Sequence, residues 1–220
     1  MGGIPAEVLP FAVATAVSPL PLVALLVVLV TPRAVPNGLA FTAGWATALL
    51  AVGAGMVALI SSGVAPDEQA GAVTALEAVV GLGLIAIAVQ QWRRRPRAGT
   101  LAEVPGWLLL ADRCTPLRAF VMGTVMILAN PKNLTLTAAA SDAVADSAST
   151  AGAQVPALVL FAVVGSLGLA VPLVLRVAVG ARAVGTLTRW RRWLMLHGTP
   201  LGCLLVAAIG LVLVARAAVH

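Results

Sequence analysis

Apolar residues along this chain come in long unbroken runs rather than in helical stripes or two-residue alternation. Residues 8–32 form a 25-residue run without a charge. About 20 mostly apolar residues in one helix cross the ~30 Å of hydrocarbon in a bilayer. By that measure the pattern predicts six spans, at about 8–30, 38–61, 72–91, 117–140, 155–176 and 198–218. The third reaches full length only by including Glu77. Polar punctuation separates them: TPRAVPN at 31–37, SSGVAPDEQAG at 61–71, QQWRRRPRAGTLAEVPGW at 90–107, SDAVADSASTAGAQ at 141–154, and RVAVGARAVGTLTRWRRWLMLHG at 176–198. The first run lacks the basic region that opens a cleaved leader, its only early charge being Glu7, so it is expected to span. The predicted fold is an all-α integral membrane protein of six transmembrane helices, one membrane domain over 1–220.

Composition agrees with the pattern. The chain is 60% hydrophobic and 10% charged, with a mean hydropathy of +1.03. Soluble domains carry about 25% charged residues, and 220 residues of this composition could not hide their apolar surface in water. The pI of 11.3 would suit nucleic acid if the arginines were spread out. They are not. Twelve of the thirteen fall in the turns after spans one, three and five: Arg33; Arg93, Arg94, Arg95, Arg97, Arg113 and Arg118; Arg176, Arg182, Arg189, Arg191 and Arg192. The turns after spans two and four carry Asp67, Glu68, Asp142 and Asp146 instead. Basic loops stay cytoplasmic, which puts both termini outside, Arg216 being the one dissenting charge. The positive charge is thus a topology signal that also suits anionic lipid head groups, and no nucleic acid is expected as a partner. Cys114 and Cys203 lie far apart, with no metal-ligand spacing, so no cofactor is expected.

Inside the apolar runs, two segments break the rule. AVSPLPLVAL at 16–25 and LANPKNLTLT at 128–137 both place proline near the middle of the first helix of a three-helix half. Ser18-Pro19 aligns with Asn130-Pro131, and Pro21 with Asn133; Phe41 and Gly44 resemble Phe161 and Gly165 with a one-residue slip. Three spans separate the two segments, so they run oppositely through the membrane. The chain reads as two inverted repeats, 1–92 and 117–220, joined by a basic cytoplasmic loop at 93–116 that includes an interfacial segment. Paired, Pro-interrupted spans are the sequence pointer to a transporter site near the midplane.

Proline has no N–H and clashes with the carbonyl four residues earlier. Pro19 and Pro21 should free the carbonyls of Thr15 and Val17, and Pro131 that of Ile127. In lipid, a freed carbonyl must find a donor or face a wet cavity. Ser18, Asn130 and Asn133 are candidate donors, and Thr135 and Thr137 extend a polar face. Lys132, the one lysine of the chain, could donate to carbonyls, hold an anionic ligand, or snorkel to the outer interface. A charge left at the bilayer centre costs roughly 2.5–3.5 kcal/mol on insertion scales. Glu77 is either an interfacial carboxylate or a proton-coupling partner of Lys132. The transport candidates are therefore Ser18, Pro19, Pro21, Glu77, Asn130, Pro131, Lys132, Asn133 and Thr135; no catalytic or metal-binding residue is expected.

Small residues at Ala40, Gly44 and Ala48, and at Thr47, Ala51 and Gly55, recur every four positions and predict close helix approach. WLLLADRC at 107–114 and TLTRWRRWLMLH at 186–197 read as amphipathic segments lying at the head groups, the second with Leu187, Trp190 and Leu194 on one face.

NPKNL at 130–134, PGWLLLADRCTPLRAFVMG at 105–123, SPLPL at 18–22, FTAGW at 41–45 and RWRRWLMLHG at 189–198 together resemble the actinobacterial glycolipid-addressing proteins, the GAP or Sap-like family of the lysine-exporter (LysE) superfamily. The resemblance covers nearly the whole chain. It implies interrupted first and fourth helices in inverted repeats, and a role in moving glycolipids to the cell surface. It also places Asp112 in the matching cytoplasmic segment without a role. Thiol-redox relatives need cysteines in spans one and four, where this chain has none. The expectation is a small secondary-type exporter in the cell membrane. Its partners would be membrane lipids and a glycolipid or small amphiphilic substrate, with lipid-synthesis or export machinery and a homo-oligomer left open. A non-transporting accessory protein and an exporter of a small amino acid or cation are the alternatives. An enzyme is not expected, because His197 and His220 have no evident nucleophile partner.

Overall fold

A computed structural model of the chain describes residues 7–61, 82–83, 85–86, 88–90, 92–93, 114–147 and 151–219. Among these residues every regular element is a helix and there is no strand. In chain order they are α1 (Val8–Ala16), α2 (Pro19–Val28), α3 (Ala34–Ser61), α4 (Pro116–Leu128), α5 (Pro131–Ser147), α6 (Ala151–Val179), a 3-10 turn (Gly180–Ala183) and α7 (Val184–Val219). Described residues between 82 and 93 are helical too, within and just past the expected third span. Glu77, Asp112 and most of the basic stretch after Arg93 lie outside the described residues.

Two lengths of chain are long and apolar enough to cross a membrane as they stand, Ala34–Ser61 and Gly152–Leu196. α1 and α2, bent by 46° at their junction, make a third if counted as one broken span. At 1.5 Å per residue α1 and α2 are each ~14 Å long, so together they are long enough to cross the hydrocarbon.

Local chemistry accounts for the ends. Thr115, in extended conformation, caps α4 by accepting from the Arg118 N–H at 3.3 Å, and Pro116 follows at the first helical position, where an N–H would have no partner anyway. Pro131 opens α5 in the same way, behind Asn130. α6 stops at Gly180, whose φ of 63° is the left-handed conformation that closes a helix without a Cβ penalty.

Three sequence boundaries need correction. The stretch 141–154 is not a loop throughout: α5 runs on to Ser147, because no glycine or proline interrupts it before Gly152. α3 begins at Ala34 rather than 38, because Pro36 falls in the first turn, where its missing N–H costs nothing. The segment 186–197 is not a separate interfacial helix but the first part of α7, which is continuous over 36 residues. At ~54 Å, α7 exceeds the hydrocarbon thickness, so part of it must project beyond. Leu187 is buried, whereas Trp190 and Trp193 are exposed.

Among the described residues the broken helices pack mainly against the other half. α4 lies chiefly along α3, and α1 along α6; α2 rests on α7, and α5 touches both α1 and α3. Glycine makes these approaches: a Cβ on Gly44 or Gly123 would strike the backbone carbonyls of Phe120 and Phe41, and one on Gly168 that of Ala16. The stripe of Ala40, Gly44 and Ala48 therefore packs as expected. The stripe of Thr47, Ala51 and Gly55 faces outward instead, and a Cβ on Gly55 would meet nothing within 4 Å. Phe41, Trp45, Leu49 and Phe161 fill the core.

Candidate functional site

α1 closes at Ala16 and α2 opens at Pro19, so the carbonyls at the end of α1 have lost their helical partners. Ser18 occupies the N-cap position of α2 in extended backbone, yet its side chain makes no capping bond there. The hydroxyl is turned across to the other broken segment, donating to Asn133 Oδ1 at 3.0 Å. It also accepts from Lys132 Nζ at 3.1 Å.

Lys132 reaches from the second turn position of α5 to the end of α1. Its ammonium donates to Ala14 O at 3.0 Å and to Val17 O at 3.2 Å, besides Ser18 Oγ. An ammonium has three donors, and all three are used. The side chain is 6% exposed, which decides between the sequence alternatives: it does not snorkel to water. The cation also sits where the negative end of the α1 dipole favours it. Of the two carbonyls expected to be freed at this break, that of Val17 is the one Lys132 binds.

The second break is closed from within. Asn130 accepts the Lys132 backbone N–H on Oδ1 at 3.1 Å and so caps α5 instead of donating. Asn133, fully buried, donates from Nδ2 to Met126 O at 3.4 Å, and Asn130 N donates to Ile127 O at 3.3 Å. The two ends of α4 and α5 are thus tied by Asn133, and the two broken spans by Lys132 and Ser18.

Of the sequence candidates, Ser18, Asn130, Lys132 and Asn133 come together, with Pro19 and Pro131 opening the adjoining helices and Pro21 buried one turn on. Thr135 does not join them: two residues from Asn133 it falls on the other side of the helix, half-buried. Thr137 and Ser141, four and eight residues on, carry the polar line instead. Thr137 Oγ1 donates to Asn133 O at 2.8 Å, and Ser141 Oγ lies within reach of both Thr137 O and Gly53 O of α3.

Sequence reasoning missed several members. Thr15 is buried beside the α1 break and donates to Phe11 O at 2.8 Å. Asn37, fully buried on α3, donates to Cys114 O at 2.9 Å, while its Oδ1 has no partner among the described residues. Arg176, read only as a topology charge, donates from Nε to Leu29 O at 3.1 Å and caps the end of α2. Only Asn37 and Arg176 carried a usable signal, a polar side chain at the edge of an apolar run. Burial pushes the Cys114 thiol up, against a smaller downward pull from Arg118. Among the described residues no group of His, Cys, Asp and Glu is placed to hold a metal ion.

A family model described as "Sap, sulfolipid-1-addressing protein" matches residues 8–218. No curated protein and no solved structure matches the chain.

Proposed function

The chain belongs to the Sap, sulfolipid-1-addressing protein, family, and from that premise we propose that it exports a glycolipid or similar amphiphile toward the cell surface. It does so as a small secondary-type carrier of the lysine-exporter kind, in the cell membrane, with six spans in two inverted three-helix repeats and cytoplasmic basic loops. One observation carries this reading. The two Pro-interrupted segments meet through Lys132, Ser18 and Asn133, buried, with unwound backbone on both sides. Discontinuous helices meeting at the bilayer midplane are where secondary transporters hold and release their cargo. The reciprocal packing of α1 on α6 and α4 on α3, each through a glycine against a backbone carbonyl, supports the inverted repeat.

The Lys132 tie holds the two breaks together in one state. Alternating access requires it to open, because α1 and α5 cannot separate while the ammonium binds Ala14 and Val17. The polar head of the cargo would then meet Lys132, Asn133 and the Thr137–Ser141 line. Its acyl chains would stay between helices, in lipid. Candidate partners are membrane lipids, the substrate itself and the machinery that synthesises it.

The test is flux of a labelled anionic glycolipid between leaflets of liposomes holding only the purified protein. Wild type accelerates it. Lys132→Ala loses it, while remaining as abundant in the membrane. Unchanged flux in that variant refutes the site. A second reading, an accessory protein of a larger lipid-export machine, is favoured by the exposed Arg182 in the 3-10 turn and Arg189, Arg192, Trp190 and Trp193 along the start of α7. It predicts no flux by the purified protein alone.

A further inference from the structure

Lys132 does for the end of α1 what a bound metal ion does in other carriers. Its Nζ stands among Ala14 O, Val17 O and Ser18 Oγ at 3.0, 3.2 and 3.1 Å, all supplied by five consecutive residues at one helix end. All three are neutral oxygens, so their dipoles are what face the charge. In secondary transporters, unwound carbonyls and half-helix C-termini of this kind coordinate the coupling sodium. A helix C-terminus adds negative partial charge equivalent to about half an elementary charge. The fourth oxygen nearby, Asn133 Oδ1, holds Ser18 Oγ in place by accepting its proton, which leaves the hydroxyl lone pairs turned to the cation.

We infer that residues 14–18 form a monovalent-cation site which this chain fills, in the closed state, with its own lysine. Lys132 is a tethered cation: it occupies the oxygen cage through the hydrogen bonds that a free ammonium ion would make. The protein needs no sodium to order the α1 break, because the cation arrives with the chain. Truncating the lysine empties the cage without removing any of its oxygens, and a free cation can then enter. This goes beyond the carrier reading and holds whatever the cargo is.

The experiment reads thermal unfolding of the purified full-length protein in detergent, without substrate, so that it fails separately from the flux test. Lys132→Ala and wild type are titrated with the chlorides of ammonium, n-butylammonium, sodium, potassium and tetramethylammonium. The last has the charge but no N–H. The midpoint of Lys132→Ala is expected to rise roughly 3–6 °C in ammonium or n-butylammonium at ten times Kd, and not to move in tetramethylammonium. Wild type is expected to respond to none of them. Equal action of all the salts on Lys132→Ala overturns the inference, as does a sodium-specific rise in wild type. If Lys132→Ala does not accumulate, Lys132→Met keeps most of the stem volume and removes the charge. A midpoint for it below wild type upholds the cation's role at the end of α1, and one equal to wild type overturns it.

Discussion

Ser18 is one of the smallest polar side chains available, and both breaks meet at its hydroxyl. It accepts from Lys132 and donates to Asn133, so one oxygen atom touches both partners of the tie. Ser18→Ala leaves Asn133 Oδ1 and one ammonium proton unpaired in a buried place. The expected loss is about 1–3 kcal/mol, seen as a drop of roughly 2–4 °C in midpoint for each kcal/mol. Ser18→Thr keeps the hydroxyl and should recover most of it. At this scale the prolines and the candidate donors were legible, and which carbonyl each donor meets was not. A missing N–H is a property of one residue, so Pro19 and Pro131 announce the breaks by themselves. Which carbonyl a lysine reaches 115 residues away is decided by packing, and nothing near position 132 encodes it. Thr15 and Ser141 were silent for another reason. A hydroxyl that returns its proton to the carbonyl four residues back looks like any helical threonine or serine.

Whole helices are placed by contacts of backbone against backbone. Gly168 faces the carbonyl of Ala16, at the last residue of α1, and its methyl in Gly168→Ala would have to push α1 and α6 apart. Neither partner is a flexible side-chain tip that could swing away. Overpacking of this kind costs about 1–3 kcal/mol, and here it also displaces the carbonyls that Lys132 holds. Gly55→Ala is the control on an exposed face of α3, with nothing within 4 Å. It should be neutral or stabilising by up to ~1 kcal/mol, the helix-propensity difference. Membrane abundance and midpoints of the two variants check this. The small-residue spacing that predicts close approach is the same in both stripes of α3, and only one of them packs. Periodicity finds a face without saying what lies against it. Likewise the sequence 186–197 has the amphipathic look of a surface helix, and Gly198 and Pro200 set it off from the apolar run at 201–214, yet α7 runs through both.

For the molecule as a whole, composition alone gave a helical membrane protein, because 60% hydrophobic residues leave no soluble solution. The run lengths located spans two and five to within a few residues, but placed the start of the last helix fourteen residues late and ended the fourth span seven residues early. The distribution of arginine predicts orientation. A reporter active only in the cytoplasm should work when inserted near position 100 and fail near position 66 or after the C-terminus. Activity at 66 would reverse the topology. The arrangement of helices around the site was the least legible part. It depends on which halves exchange contacts, and sequence similarity between the repeats is too thin to reveal that.

The exchange of leading helices has a practical outcome. α1 has its berth on α6, from the other end of the chain, and α4 has its own on α3. A polypeptide ending near position 100, made alone, would insert with α1 deprived of its α6 contact, and the complementary piece beginning there with α4 deprived of α3. Each fragment should be degraded when produced singly. Produced together from two messages, they should find each other and restore a protein that co-purifies, since α1 on α6 and α4 on α3 are contacts between the two pieces. Fragments that survive independently would mean that each half is a self-sufficient bundle.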